Sequence, residues 1–254
     1  MTRFTNRLLP SLVLSILSVP AVGAAENTDL ASAKSRIAER YPQIKVEHIH
    51  QSPIEGVLEV AMGGQIAYVT SDGRYLLQGD LVDLEANVNL SEQRRNKGRA
   101  ELLAEVDEDS MIIFSPEKPE HTITVFTDVD CGYCRKLHQE MAELNEQGLR
   151  VRYLFFPRSG PQTPSWEKAE RVWCADDRNA AITAAKADQP FESKPCEETP
   201  VREQWELGQA VGLRGTPAIV TEQGDLIAGY LPAAELAKRV ESLANASAAV
   251  AQAD

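Results

Sequence analysis

Phe126-Thr127-Asp128-Val129-Asp130-Cys131-Gly132-Tyr133-Cys134-Arg135-Lys136-Leu137-His138 is the stretch that decides the fold. Ile123-Thr124-Val125-Phe126 leads into it as a buried-strand candidate, and Leu137, Met141 and Leu144 follow on one helical face. The tetrapeptide Cys131-Gly132-Tyr133-Cys134 thus falls between a strand and a helix, with its first sulfur at the helix N-terminus. Orphan N–H groups and the helix dipole favour negative charge there, lowering the thiol pKa and raising the thiolate fraction. Cys134 lies one turn inside the helix, close enough to form a disulfide yet less exposed. That asymmetry assigns attack to Cys131 and resolution to Cys134, with Gly132 and Tyr133 helping to set the redox poise. Arg135 and Lys136 add positive potential and Asp130 works against it, so the net sign is not legible from the string.

Other uses of the motif are weaker. A zinc knuckle needs a second closely spaced ligand pair, and Cys174 and Cys196 stand far apart with no matching histidines. Haem attachment needs His directly after Cys134, where Arg135 stands. A purely structural disulfide stays open at this point.

Working outward, Gly148 ends the helix and Val151 to Phe156 supplies a second strand of a βαβ unit. Residues 158–206 are rich in helix formers and prolines, with Trp166, Val172 and Trp173 spaced for a packed helix. Ala218-Ile219-Val220 and Asp225 to Tyr230 read as two more strands, joined near Gly224. A last helix is expected from about Ala233 to Leu243, with a frayed tail over 246–254. Gly215-Thr216-Pro217 stands just before a strand, where proline suits an edge or a cis turn.

Upstream, Gln43 to Leu84 reads as short strands, with Asp72-Gly73 as a hairpin signal before Tyr75-Leu76-Leu77. So small a sheet needs a helix, for which Leu30 to Arg40 is the candidate, or a second copy of the chain to cover its apolar face. Residues 89–109 read as a solvated connecting helix, opened by Asn89 with Glu92 three residues on and weakened by Gly98. The expected organisation is α+β: an N-terminal domain over 25–88, the linker helix over 89–109, and a larger domain with a helical insertion over 110–245.

Residues 1–24 have the layout of a secretory signal peptide: Arg3 and Arg7, an apolar run from Leu8 to Val19, then Pro20 and small residues. The run is shorter than the ~20 apolar residues that a membrane span needs. Its removal takes away two arginines and no acid, so a chain already at −12 becomes more acidic still. Such a balance argues against nucleic-acid binding, which relies on clustered Lys and Arg. Export places the four cysteines in an oxidising compartment.

Together with Val151-Arg152-Tyr153-Leu154, Gly215-Thr216-Pro217-Ala218 and Gly229-Tyr230, the opening stretch resembles the DsbC family of periplasmic disulfide isomerases, within the thioredoxin superfamily. The likeness covers nearly all the mature chain, strongly from about residue 110 to 235 and weakly before that. It implies a thioredoxin-like domain whose cis-proline loop contains Thr216 and Pro217. It also implies a V-shaped homodimer paired through the N-terminal domains, and upkeep of the dithiol by a DsbD-type membrane reductase. The substrates implied are misfolded exported proteins with wrong disulfides. No cofactor or metal is called for beyond the Cys131–Cys134 couple itself. One departure stands out: where thioredoxin carries a buried acid ahead of its first active cysteine, this chain has Val125.

Four cysteines allow three pairings. If Cys131 and Cys134 form the redox couple, Cys174 and Cys196 are left for each other as a structural bridge. Thr216 is expected to offer backbone hydrogen bonds to an extended substrate, with Pro217 keeping that edge free. The rival readings are a dithiol oxidase, which runs the same sulfurs in the opposite direction, and a holdase chaperone that does not use its thiols. His48 and His50 are expected on one strand face, too few for a closed metal site, and His138 exposed or packed against its helix.

Overall fold

The computed structural model describes residues 22–251, and side-chain surroundings for 29–248. The signal-peptide reading falls, up to residue 21, outside the described residues. Helix α1 (Val22–Arg40) lies across a four-stranded antiparallel sheet of β1 (Ile49–Gln51), β2 (Val57–Met62), β3 (Gln65–Thr70) and β4 (Leu76–Leu77). Ala33 and Ile37 of the helix pack with Ile49, Leu58, Val60 and Val69 of the sheet in a small core of their own. The helix thus covers the apolar face. Gly73, at φ +69°, turns the chain between β3 and β4 as the Asp72-Gly73 signal implies. His48 lies in a short 3-10 helix, Val46–His48, so it does not share a strand face with His50. Two minor strands, β5 (Val82–Asp83) and β6 (Val88–Asn89), lead into α2 (Leu90–Ala104).

The Asn89 side chain caps α2 by accepting from the Glu92 N–H at 2.9 Å. This helix is more than a solvated connector. Toward the small sheet, its Arg94 donates to the buried Glu59 at 2.6 Å, and its Ser91 hydroxyl meets the Tyr68 hydroxyl at 2.5 Å. On the other side, the buried Arg99 donates to the Val211 carbonyl at 3.3 Å. Gly98 explains itself here: a Cβ would overlap the carbonyl of Gly63 in the β2–β3 hairpin. Gly64 of the same hairpin donates to the Ala210 carbonyl at 3.0 Å, and a Cβ on it would strike the Val211 carbonyl. The helix propensity lost at Gly98 is the cost of main chain meeting main chain.

The second sheet contains β7 (Ile112–Phe114), β8 (His121–Thr127), β9 (Leu149–Phe155), β10 (Ala218–Thr221) and β11 (Leu226–Ala228), in the order β11-β10-β8-β9-β7. Strands β8 and β9 are parallel and joined by α3 (Gly132–Gln139) and α4 (Met141–Glu146); the other pairs are antiparallel. The helical insertion is α5 (Pro164–Trp173), α6 (Arg178–Lys186) and α7 (Val201–Val211). Strand alternation sorts the core into two layers. Ile123, Val125, Val151 and Tyr153 face Leu137, Leu144, Trp166, Val172, Ile182 and Leu236. Phe126, Leu154 and Val220 face Leu103 of α2 and Val211 of α7.

Two expectations need adjusting. The chain breaks between α3 and α4 at Glu140, although Leu137, Met141 and Leu144 are all buried as one face. The carboxylate of Glu140 accepts from the Tyr230 hydroxyl and, at 2.8 Å, from the Ala233 N–H at the start of the last helix. That helix, α8 (Ala233–Ala251), continues well past Leu243, so the tail expected to fray from 246 is helical through Ala251. Alanine is the strongest helix former, so its run there favours propagation of a helix already begun at Ala233.

Candidate active site

Strand β8 ends at Thr127, and Asp128 takes over the turn into α3. Its carboxylate accepts from the N–H groups of Asp130 and Arg158 and from the Ser165 hydroxyl. Burial opposes the charge on Asp128, but those donors and the Arg158 guanidinium hold its carboxyl below the ordinary range. The turn so fixed delivers Cys131 as the N-cap of α3, with its carbonyl accepting from the Arg135 N–H at 3.0 Å. Antiparallel pairing of β10 with β8 sets Ala218 opposite Phe126 and brings the preceding loop over the helix mouth. The Thr216–Pro217 peptide is cis. The Thr216 carbonyl oxygen lies 3.3 Å from Cys131 Sγ, which donates to it when protonated. The Pro217 carbonyl accepts from the Gly229 N–H at 2.9 Å and ties the loop to β11.

Both Cys131 and Cys134 are free thiols, and their electrostatics diverge. The Cys134 thiol donates to the Cys131 sulfur, and this is the main reason the Cys131 pKa falls to about 5. Burial opposes the drop. The Thr216 hydroxyl, the Cys134 N–H and the Arg158 guanidinium reinforce it. The Thr216 hydroxyl is buried without a full hydrogen bond inside the protein, yet close enough to the sulfur to favour the thiolate. Cys134 is pushed up, first because its proton is held by Cys131 and then by burial. The two thiols therefore titrate as a pair, with one sulfur ionised and the other keeping its proton.

Beneath Cys134 lies a buried polar group of residues. The Thr127 hydroxyl and the Asp128 N–H point at its sulfur. Lys186 of α6, only 2% exposed, donates to the Thr127 hydroxyl at 2.7 Å and lies 5.3 Å from the centre of the Tyr153 ring. His138 is buried, with one ring nitrogen 3.2 Å from the Tyr153 hydroxyl and the other 3.0 Å from the Thr183 hydroxyl. Burial, with Lys186 nearby, takes His138 down to about 4, so it is neutral at ordinary pH.

The sequence-selected residues fall as follows. Cys131, Cys134, Thr216 and Pro217 converge on one spot. Cys131 is as covered as Cys134, at 2% against 1% exposure, so the difference between them comes from hydrogen bonding rather than from access. Gly132 and Tyr133 face solvent, and the Tyr133 ring stacks on Tyr230 with centroids 6.3 Å apart. Lys136 sits 4.5 Å above the Tyr230 ring. Arg135 is paired with Asp130 and Asp188, each at 3.1 Å, so its charge is spent locally. The positive field on the thiols comes instead from Arg158 and Lys186. Cys174 and Cys196 are joined in a disulfide away from this centre. Beside the cis-proline loop, a cleft of about 1010 Å³ opens between Gly215, Thr216 and Pro217 on one wall and Gly64, Gln65 and Arg95 on the other.

The chain is similar in sequence to known proteins along most of its length. Residues 108–244 match the thioredoxin-like domain, and residues 23–92 match the disulfide bond isomerase protein N-terminal domain. The thiol:disulfide interchange protein DsbC of Dickeya dadantii is 34% identical over 225 residues, covering 88% of this chain and 90% of that protein. DsbC of Haemophilus influenzae is 37% identical, over 77% of this chain and 84% of its own length. DsbC of Escherichia coli K12 is 35% identical, with coverages of 76% and 80%. The chain belongs to the DsbC family. It is a thiol:disulfide interchange protein, with a thioredoxin-like domain behind a DsbC-type N-terminal domain.

Sequence reasoning missed several residues of this DsbC-type site. Arg158 reaches it from a loop, and nothing local marks it. Thr127 and Asp128 lie inside the quoted stretch but read as ordinary strand-end polar residues. Lys186 left a signal: it falls one turn after Ile182 and directly after Ala185, on the buried stripe of an otherwise apolar helix. A cation on that stripe is unusual enough to single out. Among the described residues, no cluster of three or more His, Cys, Asp or Glu side chains suits a metal ion.

Proposed function

We propose that this chain is an exported isomerase and reductase of protein disulfides, in which Cys131 attacks and Cys134 resolves. The observation that carries the reading is the Cys131 thiol held near 5 at the N-terminus of α3, against a cis Thr216–Pro217 peptide. The Cys131 thiolate attacks one sulfur of a wrong disulfide, forming a mixed disulfide and expelling the other substrate sulfur as thiolate. A second substrate thiol then displaces Cys131, which is isomerisation, or Cys134 does so, which is net reduction. An extended substrate segment lies along Thr216 and Pro217 in the cleft, and Gly132 and the Tyr133–Tyr230 stack present its first contacts. Cys174–Cys196 is a permanent bridge and takes no part in turnover.

Two copies pair through the N-terminal sheet. Tyr75, Leu76, Leu77, Val82 and Leu84 stand exposed along the β4 edge and the segment after it, and Leu84 is 88% exposed. An open strand edge with apolar residues is a template for a second copy. Residues 1–24 direct the chain to the periplasm, where a DsbD-type membrane reductase returns Cys131–Cys134 to the dithiol. The shared cleft of the dimer gives chaperone-like binding of unfolded chains.

Refolding of a scrambled multi-disulfide protein tests the reading. Wild type is expected to restore native pairings, Cys131→Ala to fail, and Cys134→Ala to accumulate a covalent mixed disulfide. Release of substrate by Cys134→Ala as fast as by wild type would overturn the role assignment. Recovery of native pairings by the double alanine variant would leave only a holdase. One observation favours a second reading, a dithiol oxidase: a stabilised thiolate makes the disulfide more oxidising. The redox state of the pair in the intact compartment separates the two, reduced for the isomerase and oxidised for the oxidase.

A further inference from the structure

Resolution requires Cys134 to shed a proton inside the protein, and the groups around it narrow the choice of acceptor. Val125, fully buried, is apolar core. The Asp128 carboxylate is held ionised by its donors and is a poor proton acceptor. Tyr153 is kept a neutral phenol, first by burial and then by the charge of Cys134. His138 faces Tyr153 and Thr183, and burial leaves it little affinity for a proton. Arg135 of α3 is committed to Asp130 and Asp188 at the surface. What remains is Lys186, hydrogen-bonded to the one hydroxyl that also points at the Cys134 sulfur.

We propose that Lys186 holds the proton that Cys134 must release, exchanging it through the Thr127 hydroxyl, and acts as the buried counter-charge of the ionised sulfur. This rests on the assignment of Cys134 as the resolving thiol. Acting through Thr127, Lys186 is a positioning residue. In the mixed disulfide, Cys134 passes its proton to Thr127 Oγ1 as the Thr127 hydroxyl proton moves to the neutral amine of Lys186. The electron pair left on Cys134 Sγ forms the bond to Cys131 Sγ. The bond from Cys131 to the substrate sulfur breaks, and that sulfur leaves as thiolate and takes a proton from water. The enzyme dithiol is oxidised and the substrate disulfide reduced; in the reverse direction the Lys186 ammonium returns the proton.

The surroundings make the amine available at the right moment. Burial brings Lys186 down to about 8, while the charges of Cys134, Cys131 and Asp128 raise it and Arg135 lowers it. Capture of Cys131 in a mixed disulfide removes one of the charges that hold the proton on Lys186. The ammonium then loses that proton to water more readily, leaving the neutral amine that the transfer from Cys134 needs.

A coloured aromatic disulfide resolves the two steps. The first equivalent of coloured thiol reports attack by Cys131, and the second reports resolution by Cys134. Lys186→Met is expected to leave the first phase within about twofold and to slow the second about tenfold or more at neutral pH. It should also abolish the rise of the second phase through the Lys186 midpoint, which falls below about 8 once Cys131 is captured. Thr127→Val should slow the same phase, and the double variant should be no slower than either alone, because both cut one path. A second phase of wild-type rate and pH profile in folded Lys186→Met would overturn the proposal. NMR titration of isotopically labelled lysine in the wild type needs no variant to fold: the Lys186 midpoint is expected near 8 in the dithiol and lower in the disulfide. Titration of Lys186 as a free lysine, near ~10.4, in both states would also overturn it. Loss of the first phase in wild type would instead remove the Cys131 assignment, and this inference with it.

Discussion

The two cysteine pairs share one domain and sit at opposite ends of helices. Cys131 is the N-cap of α3, where the helix dipole and nearby donors stabilise a thiolate. Cys174 is the C-cap of α5, where the same dipole repels one. Its partner Cys196 is exposed in a stretch, residues 189–200, that has no helix or strand and carries Glu192, Glu197 and Glu198. Of the cations near it, Lys194 is taken up by Asp176 at 2.5 Å and Arg171 lies over the Phe191 ring. What stabilises the reduced form favours exchange, and what destabilises it favours a lasting bond. The end of the helix, more than the presence of two sulfurs, separates the pair proposed to turn over from the pair proposed to stay closed.

Loss of Cys131 gives the largest effect. Cys131→Ala is expected to abolish isomerisation of a scrambled substrate, while Cys174→Ala with Cys196→Ala leaves the initial rate within about twofold. Loss of turnover in a folded form of that double variant would put the second pair into the reaction. The double variant should instead lose stability, by roughly 3 kcal/mol for a loop of this size in the chain-entropy model, read from denaturant unfolding. A loss confined to a few tenths would mean that the 189–200 segment is held by its packing alone.

Acidification sharpens the contrast next. The folded Cys131 thiol lies below its unfolded value, so the stability its thiolate adds to the reduced protein is present above the free-thiol range. It is lost as pH falls through about 5. Alkylation of Cys131 should follow the same midpoint and drop about tenfold one unit below it, and a midpoint near that of free cysteine would contradict the geometry. The smallest change comes from Arg158, whose side chain is half exposed and screened. Arg158→Met should raise the alkylation midpoint by a few tenths of a unit. A larger shift would show that the guanidinium, rather than the Cys134 thiol, governs the nucleophile.

Local patterns foretold most of the catalytic domain. The strand–Cys-x-x-Cys–helix order, Gly148 as a helix stop and Thr216-Pro217 before β10 are all written in neighbouring residues. Where folding brings distant residues together, the string was silent. Arg158 is brought near Cys131 by Asp128, which accepts from its N–H at 3.0 Å and from its guanidinium at 3.2 Å. The covering of Cys131 depends on a loop 85 residues downstream. Likewise α2 read as solvated because its buried contacts, Glu59 and the Val211 carbonyl, belong to other elements. The helix α8 outran its expected end because its alanine run favours propagation of a helix already begun.

Gly64 and Gly98 bring main chain against main chain at the joint between the two halves, while Arg94, Asn96 and Arg99 brace its flanks with side chains. A single methyl group added at either position is enough to wedge the joint open.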